Sequence, residues 1–146
     1  MSAIKVGTTL SISAEDSTLH FDNFDHYYSS YWETDLDLEE AIDKVESLFD
    51  PSPSSEVVVE GSTQLEDTEY GELKEIQGDE LDAEFVSIYA NNYVLSWEET
   101  NDGYQMGLRS RKFSSEEVIR LFEESADEEL SLEDRERVSE FLSHGE

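Results

Sequence analysis

Alternating apolar and polar residues open the chain. Every second position of the first segment is apolar or β-branched, at Ile4, Val6, Thr8, Leu10 and Ile12. This spacing is typical of a strand that buries one face. Leu19 and Phe21 resume the alternation after a polar turn at residues 14–17. The pattern therefore predicts a β-hairpin at the N-terminus.

An aromatic segment over residues 24–33 leaves the type of element open. Its aromatic side chains lie at Phe24, Tyr27, Tyr28, Tyr31 and Trp32. The spacing matches one face of a helix. Aromatic residues also favour strands, so the sequence does not decide between helix and strand here.

A helical stripe follows the aromatic segment. Its apolar positions are Leu38, Ala41, Ile42, Val45, Leu48 and Phe49. Asp37 and Glu40 have the spacing of a capping box at the start of a helix. Residues 50–53 read Asp-Pro-Ser-Pro, and proline both lacks an amide donor and restricts the residue before it. We therefore predict a helix that ends at residue 50.

The middle of the chain combines a short apolar run with a long acidic segment. Val57, Val58 and Val59 predict a short buried strand. Residues 60–82 then contain nine acidic residues and one lysine. We interpret this segment as a long acidic loop, with room for one edge strand near Leu73 to Ile76.

The C-terminal half predicts a meander followed by helices. Strand patterns cover Phe85 to Tyr89, Tyr93 to Trp97 and Tyr104 to Leu108, separated by Asn, Asp and Gly residues that suit tight turns. Ser114 with Glu117 then predicts the start of one helix. A last helix is expected from Ser131, with its apolar residues facing inward at Val138, Phe141 and Leu142.

These elements predict one α+β domain over residues 1–146. Its antiparallel sheet would consist of the N-terminal hairpin and the C-terminal meander, packed against about three helices. Length alone favours one domain, because 146 residues is the size of a typical domain.

Charge adds the strongest constraint on function. Asp and Glu number 38 and Lys and Arg 9, which gives a net charge of −29. Direct binding to nucleic acid requires a basic surface, and anionic membranes repel an acidic one. A partner protein with a basic surface is favoured instead, including a nuclease or another nucleic-acid-binding protein. No cysteine is present, and no segment is typical of a secretion signal, so we expect a cytoplasmic protein.

Catalytic motifs are absent from the sequence. It contains no glycine-rich phosphate-binding loop and no nucleophile elbow. His20, Asp22, Asp25 and His26 have a spacing that metal ligands can share, but a histidine pair in an acid-rich segment is the simpler interpretation. We predict no catalytic residue, no cofactor and no metal site.

One part of the chain resembles a known class. The segments Tyr93 to Trp97, Gly103-Tyr104 and Phe113 to Phe122 together resemble the strand–strand–helix ending of some small bacterial immunity-type proteins. The resemblance covers about a third of the chain. It implies a protein-binding role and assigns no functional residue.

The sequence therefore favours a non-catalytic acidic binding protein, namely an inhibitor, immunity factor or nucleic-acid mimic that occupies a basic site on a target. Its expected partner-binding residues are Asp22, Asp25, Tyr27, Tyr28, Tyr31, Trp32, Glu66, Asp67, Glu69 and Glu72. The aromatic members of this set could instead form core, since aromatic stripes are usually buried. Two alternatives for the whole chain stay open: a domain adapted to high salt, whose charge reflects its environment, and a small enzyme with an unrecognised site.

Overall fold

A computed structural model describes residues 9–14, 17–23, 27–77, 81–90, 93–110 and 115–143. The described residues form eight strands and four helices. In chain order these elements are β1 (Thr9–Ser13), β2 (Thr18–Asn23), β3 (Tyr28–Thr34), α1 (Leu38–Phe49), β4 (Glu56–Glu60), β5 (Thr68–Glu69), α2 (Tyr70–Gln77), β6 (Phe85–Tyr89), β7 (Tyr93–Thr100), β8 (Gly103–Ser110), α3 (Ser115–Ala126) and α4 (Leu132–Ser143).

All eight strands form one sheet in the order β1-β2-β3-β8-β7-β6-β4-β5. Each described pairing is antiparallel. The predicted hairpin is β1–β2, and the predicted meander is β6–β7–β8. Pairing of β3 with β8 joins the two into a single sheet. The structure thus confirms the α+β class, with four described helices where about three were expected.

Helix α1 begins and ends as its sequence predicts. The Asp37 carboxylate accepts a hydrogen bond from the Glu40 amide at 2.9 Å, and the Glu40 carboxylate accepts one from the Asp37 amide at 3.3 Å. This reciprocal arrangement is a capping box. Asp50 ends the helix with a φ of 47°, in the left-handed region, and its amide donates to the Glu46 carbonyl at 3.1 Å.

The prediction for residues 60–82 is wrong in its details. Thr68 and Glu69 pair with β4, and the helix α2 follows directly. The segment expected as an edge strand, Leu73 to Ile76, therefore lies inside a helix. Leu73 is completely buried, which explains the difference. The buried side chains of Leu73 and Tyr70 anchor the short helix α2 in an otherwise acidic segment.

The aromatic segment proves to be a strand from Tyr28 onward. β3 pairs with β2 on one side and with β8 on the other. Because strand side chains alternate between two sides, Tyr28 and Trp32 point one way and Tyr31 points the other. Tyr28 and Trp32 are buried, whereas Tyr31 is half-buried. The helix-like spacing arose because aromatic residues happen to occupy both sides of this strand.

The core lies between one side of the sheet and the helices. The Trp32 ring meets the Phe122 ring of α3 edge-on, with centroids 5.8 Å apart. Phe21 and Tyr28 contact Phe141 of α4, at centroid distances of 6.0 and 5.9 Å. These contacts place α3 and α4 on the same side of the sheet.

The helices α1 and α2 lie on that same side. The Tyr93 hydroxyl donates to the Phe49 carbonyl of α1 at 3.2 Å. Tyr93 shares its side of the sheet with Tyr28, because both lie opposite Ser110. The Tyr70 hydroxyl of α2 donates to the Glu46 carboxylate of α1 at 3.0 Å. All four described helices therefore cover one side of the sheet.

Candidate functional site

The second side of the sheet is not covered by any described helix. Residues directly opposite each other on paired strands point to the same side of a sheet, so the registers identify every side chain on it. We name this side the open face. Its larger side chains are His20, Asp22, Tyr31, Glu33, Glu56, Val58, Glu60, Glu69, Phe85, Tyr89, Val94, Glu98, Gln105 and Arg109.

Small residues form the centre of the open face. Gly107, Ser96 and Ser87 lie opposite one another on β8, β7 and β6. An added Cβ at Gly107 would lie 2.9 Å from the Ser96 hydroxyl and 3.0 Å from the Ser30 carbonyl. Contacts this close leave no room for a side chain at that position. The centre of the open face is therefore a shallow depression, and larger side chains lie on either side of it.

Apolar and aromatic side chains flank this centre. Phe85 and Tyr89 stand on either side of Ser87 along β6, and Val94 lies opposite Tyr89 on β7. Tyr89 is 40% exposed, one of two large apolar side chains exposed among the described residues. The exposed Tyr89 and the half-buried Phe85 and Val94 therefore form a small apolar patch on the open face.

Two contacts of aromatic rings lie at the β2–β3 end of the open face. The His20 and Tyr31 rings stack with centroids 4.7 Å apart, and the Ser11 hydroxyl lies 3.1 Å from the His20 Nδ1 atom. The Arg109 guanidinium carbon lies 5.8 Å from the centre of the Tyr27 ring, within the range of a cation–π contact. The open face thus carries preformed aromatic contacts at its β2–β3 end.

Carboxylates lie around the small central residues and the apolar side chains of the open face. They belong to Asp22, Glu33, Glu56, Glu60, Glu69 and Glu98. Arg109 is the only Lys or Arg at the open-face positions that the structure describes. The electrostatic potential of this surface is therefore negative, which favours a cationic partner.

The open face brings together only some of the residues expected from the sequence. Asp22 and Tyr31 lie on it, and Tyr27 borders it through its contact with Arg109. Asp25 lies outside the described residues. Glu69 lies on it at the far edge, opposite Glu56.

Tyr28 and Trp32 are excluded from the candidate surface because they are buried. Their exposed fractions are 4% and 1%. The Trp32 Nε1 atom donates to the Ser125 hydroxyl at 2.7 Å, so even its polar atom is directed inward. For these two residues the alternative interpretation, that aromatic side chains form core, describes their position.

The expected acidic residues Glu66, Asp67 and Glu72, which follow β4 and extend into α2, have separate structural surroundings. Asp67 accepts a hydrogen bond from the Val59 amide at 3.2 Å. Glu72 accepts one from the Thr68 hydroxyl. Glu66 is exposed. These three do not form one surface with Tyr31, because the strands β8, β7 and β6 separate them from it.

The charge surplus faces solvent throughout the described structure. No Asp or Glu is buried among the described residues. Several of the described cations pair within the chain, and the strongest pair joins Arg135 Nη2 to both Glu123 oxygens at 2.7 and 2.6 Å. The Lys74 ammonium lies 2.5 Å from the Glu46 carboxylate and, with the Tyr70 hydroxyl, holds the pKa of Glu46 below its ordinary value.

A cleft of about 400 Å³ lies on the helix side of the sheet. The stacked rings of Trp97 and Tyr104, 5.3 Å apart, form part of its wall. Its carboxylates are Asp37, Glu39, Asp82, Glu84 and Glu99. Two of these carboxylates already accept hydrogen bonds from groups of the chain itself. Asp37 caps α1, and hydrogen bonds from Ser62 and Thr63 hold the pKa of Asp82 below its ordinary value.

The described residues contain no group of three or more His, Asp or Glu side chains arranged to hold a metal ion. No described helix has the length and apolar character needed to cross a membrane. His20 and Asp22 point to the open face. His26 and Asp25 lie outside the described residues, so the structure does not test whether these four side chains share the arrangement of metal ligands.

Sequence reasoning missed Phe85, Tyr89, Val94 and Glu98 as candidate surface residues. A signal was present, since these residues occupy alternate positions of two strands, and the residues between them, Val86, Ile88, Leu95 and Trp97, are buried. Comparison with protein-family models, curated proteins and solved structures finds no match to this chain. The resemblance of the C-terminal third to immunity-type proteins therefore stays a prediction.

Proposed function

We propose that this chain is a non-catalytic acidic binding protein of the cytoplasm that occupies a basic site on a target protein. Inhibitors, immunity factors and nucleic-acid mimics are the classes that act in this way. The target would be a nuclease or another protein whose Lys and Arg residues normally meet phosphates. Carboxylates can replace phosphates as partners of these side chains.

The observation that supports the proposal is the placement of the charge. With a net charge of −29 and no described carboxylate buried, the negative field is directed outward. Such a field accelerates association with a cationic surface at low salt. The side of the sheet that no described helix covers supplies a surface on which part of that charge has a fixed arrangement.

Competition with nucleic acid tests the proposal. The probe is a labelled DNA duplex bound to each member of a panel of purified basic nucleases and nucleic-acid-binding proteins, followed by fluorescence anisotropy. Polyglutamate of the same net charge is the control. We expect this protein to displace the duplex from at least one panel member at concentrations about 100-fold below polyglutamate, because a fixed carboxylate pattern adds to simple charge. Displacement no better than polyglutamate throughout the panel contradicts the proposal.

Salt separates the proposal from adaptation to a saline environment. Circular dichroism of the purified chain in dilute buffer should show the folded α+β spectrum. Binding to the displaced panel member should weaken as salt rises, because the Debye length falls from about 30 Å at 0.01 M to about 3 Å at 1 M. A chain that unfolds in dilute buffer and refolds only near molar salt would support the environmental explanation instead.

A further inference from the structure

We infer that the open face is the surface with which this protein contacts its partner, and that the partner presents apolar side chains encircled by Lys and Arg. This inference rests on the proposed function and adds the surface and the partner's chemistry. It concerns one side of the sheet and leaves the helix layer outside the interface.

The first argument is the composition of the open face. Its centre combines the small residues Gly107, Ser96 and Ser87 with the larger apolar side chains of Phe85 and Tyr89. Aromatic residues contribute most of the binding energy at protein interfaces and tend to lie at their centres. A partner that matches this centre has apolar side chains at the corresponding place.

The second argument is the charge around that centre. Six described carboxylates lie on the open face, against the single described cation Arg109. Glu33 and Glu98 lie on either side of Gln105 in one row across the sheet. Complementary charge at the rim of an interface determines which partners associate, so the partner's rim is basic.

The third argument is size. Eight strands at about 4.8 Å spacing span about 34 Å, and five strand residues extend about 17 Å. The open face therefore offers at most about 600 Å², because β5 has only two residues, and this is below the roughly 800 Å² that each partner contributes to a standard interface. A small contact fits this surface.

A second copy of the chain is a poor occupant of the open face. A symmetric dimer would place the same carboxylates of two chains against each other. Each chain carries a net charge of −29, and like charges across an interface oppose association. A basic partner removes this repulsion and gains from the same carboxylates.

Two neighbouring residues provide a matched test. Glu98 and Glu99 are both exposed on β7, but Glu98 lies on the open face and Glu99 lines the cleft on the helix side. The variants Glu98→Lys and Glu99→Lys change the net charge equally. Because the overall field of the protein changes by the same amount in both, a larger loss of binding in Glu98→Lys than in Glu99→Lys indicates contact with the open face.

The probes are two immobilised synthetic peptides of equal positive charge. One alternates lysine with leucine and tyrosine, and the other alternates lysine with serine and glycine. We expect the unmodified chain to bind the apolar peptide more tightly than the polar one. Glu98→Lys should weaken binding of the apolar peptide about tenfold, and Glu99→Lys less than about twofold.

A neutral pair repeats the test without any change in charge. Tyr89 and Leu132 are the two large apolar side chains exposed among the described residues, on the open face and on α4 respectively. Tyr89→Ser should weaken binding of the apolar peptide about fivefold, and Leu132→Ser should leave it unchanged. Circular dichroism of each variant shows that the fold is retained.

The outcomes separate this inference from the proposed function. If Glu98→Lys and Glu99→Lys weaken both peptides equally, or the two peptides bind equally well, the open face is not the contact surface, although a basic partner remains supported. If neither peptide binds in dilute buffer, the proposed function itself is contradicted. A concentration-dependent dimer in light scattering that Tyr89→Ser abolishes would assign the open face to a second copy and overturn the inference.

Discussion

Replacement of Ser125 by alanine tests how much the hydrogen bond between Trp32 and Ser125 stabilises the core. The Ser125 hydroxyl accepts a hydrogen bond from the Trp32 Nε1 atom at 2.7 Å and donates one to the Leu121 carbonyl at 2.5 Å. Ser125 and Trp32 are both buried, with exposed fractions of 3% and 1%. Without the hydroxyl, the Trp32 donor has no partner at this position and no access to water.

The expected cost follows from that geometry. A buried donor left without its acceptor costs about 1–3 kcal/mol, and alanine recovers about 0.5 kcal/mol of helix propensity. The net loss is about 1.5 kcal/mol, equivalent to a fall in Tm of about 3–6 °C for a domain of this size. Urea unfolding followed by far-ultraviolet circular dichroism measures the free energy of unfolding directly.

Ser47 supplies the control for this substitution. It lies near the end of α1, as Ser125 lies near the end of α3, but its side chain is exposed. Ser47→Ala should therefore raise stability slightly through helix propensity alone. If Ser125→Ala unfolds at the same urea concentration as Ser47→Ala, the Trp32–Ser125 hydrogen bond adds nothing to the free energy of unfolding, and the reasoning from a buried donor left without its acceptor is wrong.

Two further predictions concern the centre of the open face and an ion pair on the helix side. Gly107→Ala should lower the free energy of unfolding by about 1 kcal/mol in urea unfolding, because the added Cβ would lie 3.0 Å from the Ser30 carbonyl. An unchanged value would show that the strands can separate there. Lys74→Met should cost less than about 1 kcal/mol at pH 7, as expected for a partly exposed pair. The pKa of Glu46 is lowered in the folded chain, so this contribution is complete above its unfolded pKa of about 4.3 and is lost as the pH falls through the lower folded value. The stability difference between Lys74→Met and the unmodified chain should therefore shrink as the pH falls below about 4.3, and a difference that stays constant as the pH is lowered contradicts the assignment.

Local signals in the sequence were sufficient where they act over a few residues. The capping box at Asp37 and the prolines after Asp50 delimit α1 by interactions within one turn of chain, and the structure confirms both ends. The hairpin β1–β2 and the meander β6–β8 were predictable for the same reason, since alternation and turn residues are local. A dense negative charge did not obscure these patterns, because it lies mainly at solvent-facing positions.

Pairing between strands that are distant in the sequence determines the features that local patterns did not decide. The aromatic segment is a strand because β2 and β8 flank it, and β8 lies more than 70 residues further along the chain. No pattern within residues 24–33 carries that information. The same applies to the open face, whose rows of side chains combine residues from eight strands and can be assembled only when the strand order is known.

The open face and the charge of the chain are best understood together. An uncovered sheet surface with exposed aromatic side chains tends to associate with copies of itself. Here Glu98 and Glu60 lie on either side of Phe85, so two copies repel one another where their apolar residues would meet. A basic partner experiences attraction at the same positions. The carboxylates around the apolar centre can therefore keep the protein apart from its own copies and select a cationic partner with one arrangement of side chains, which explains how an apolar surface could stay available in a chain with a net charge of −29.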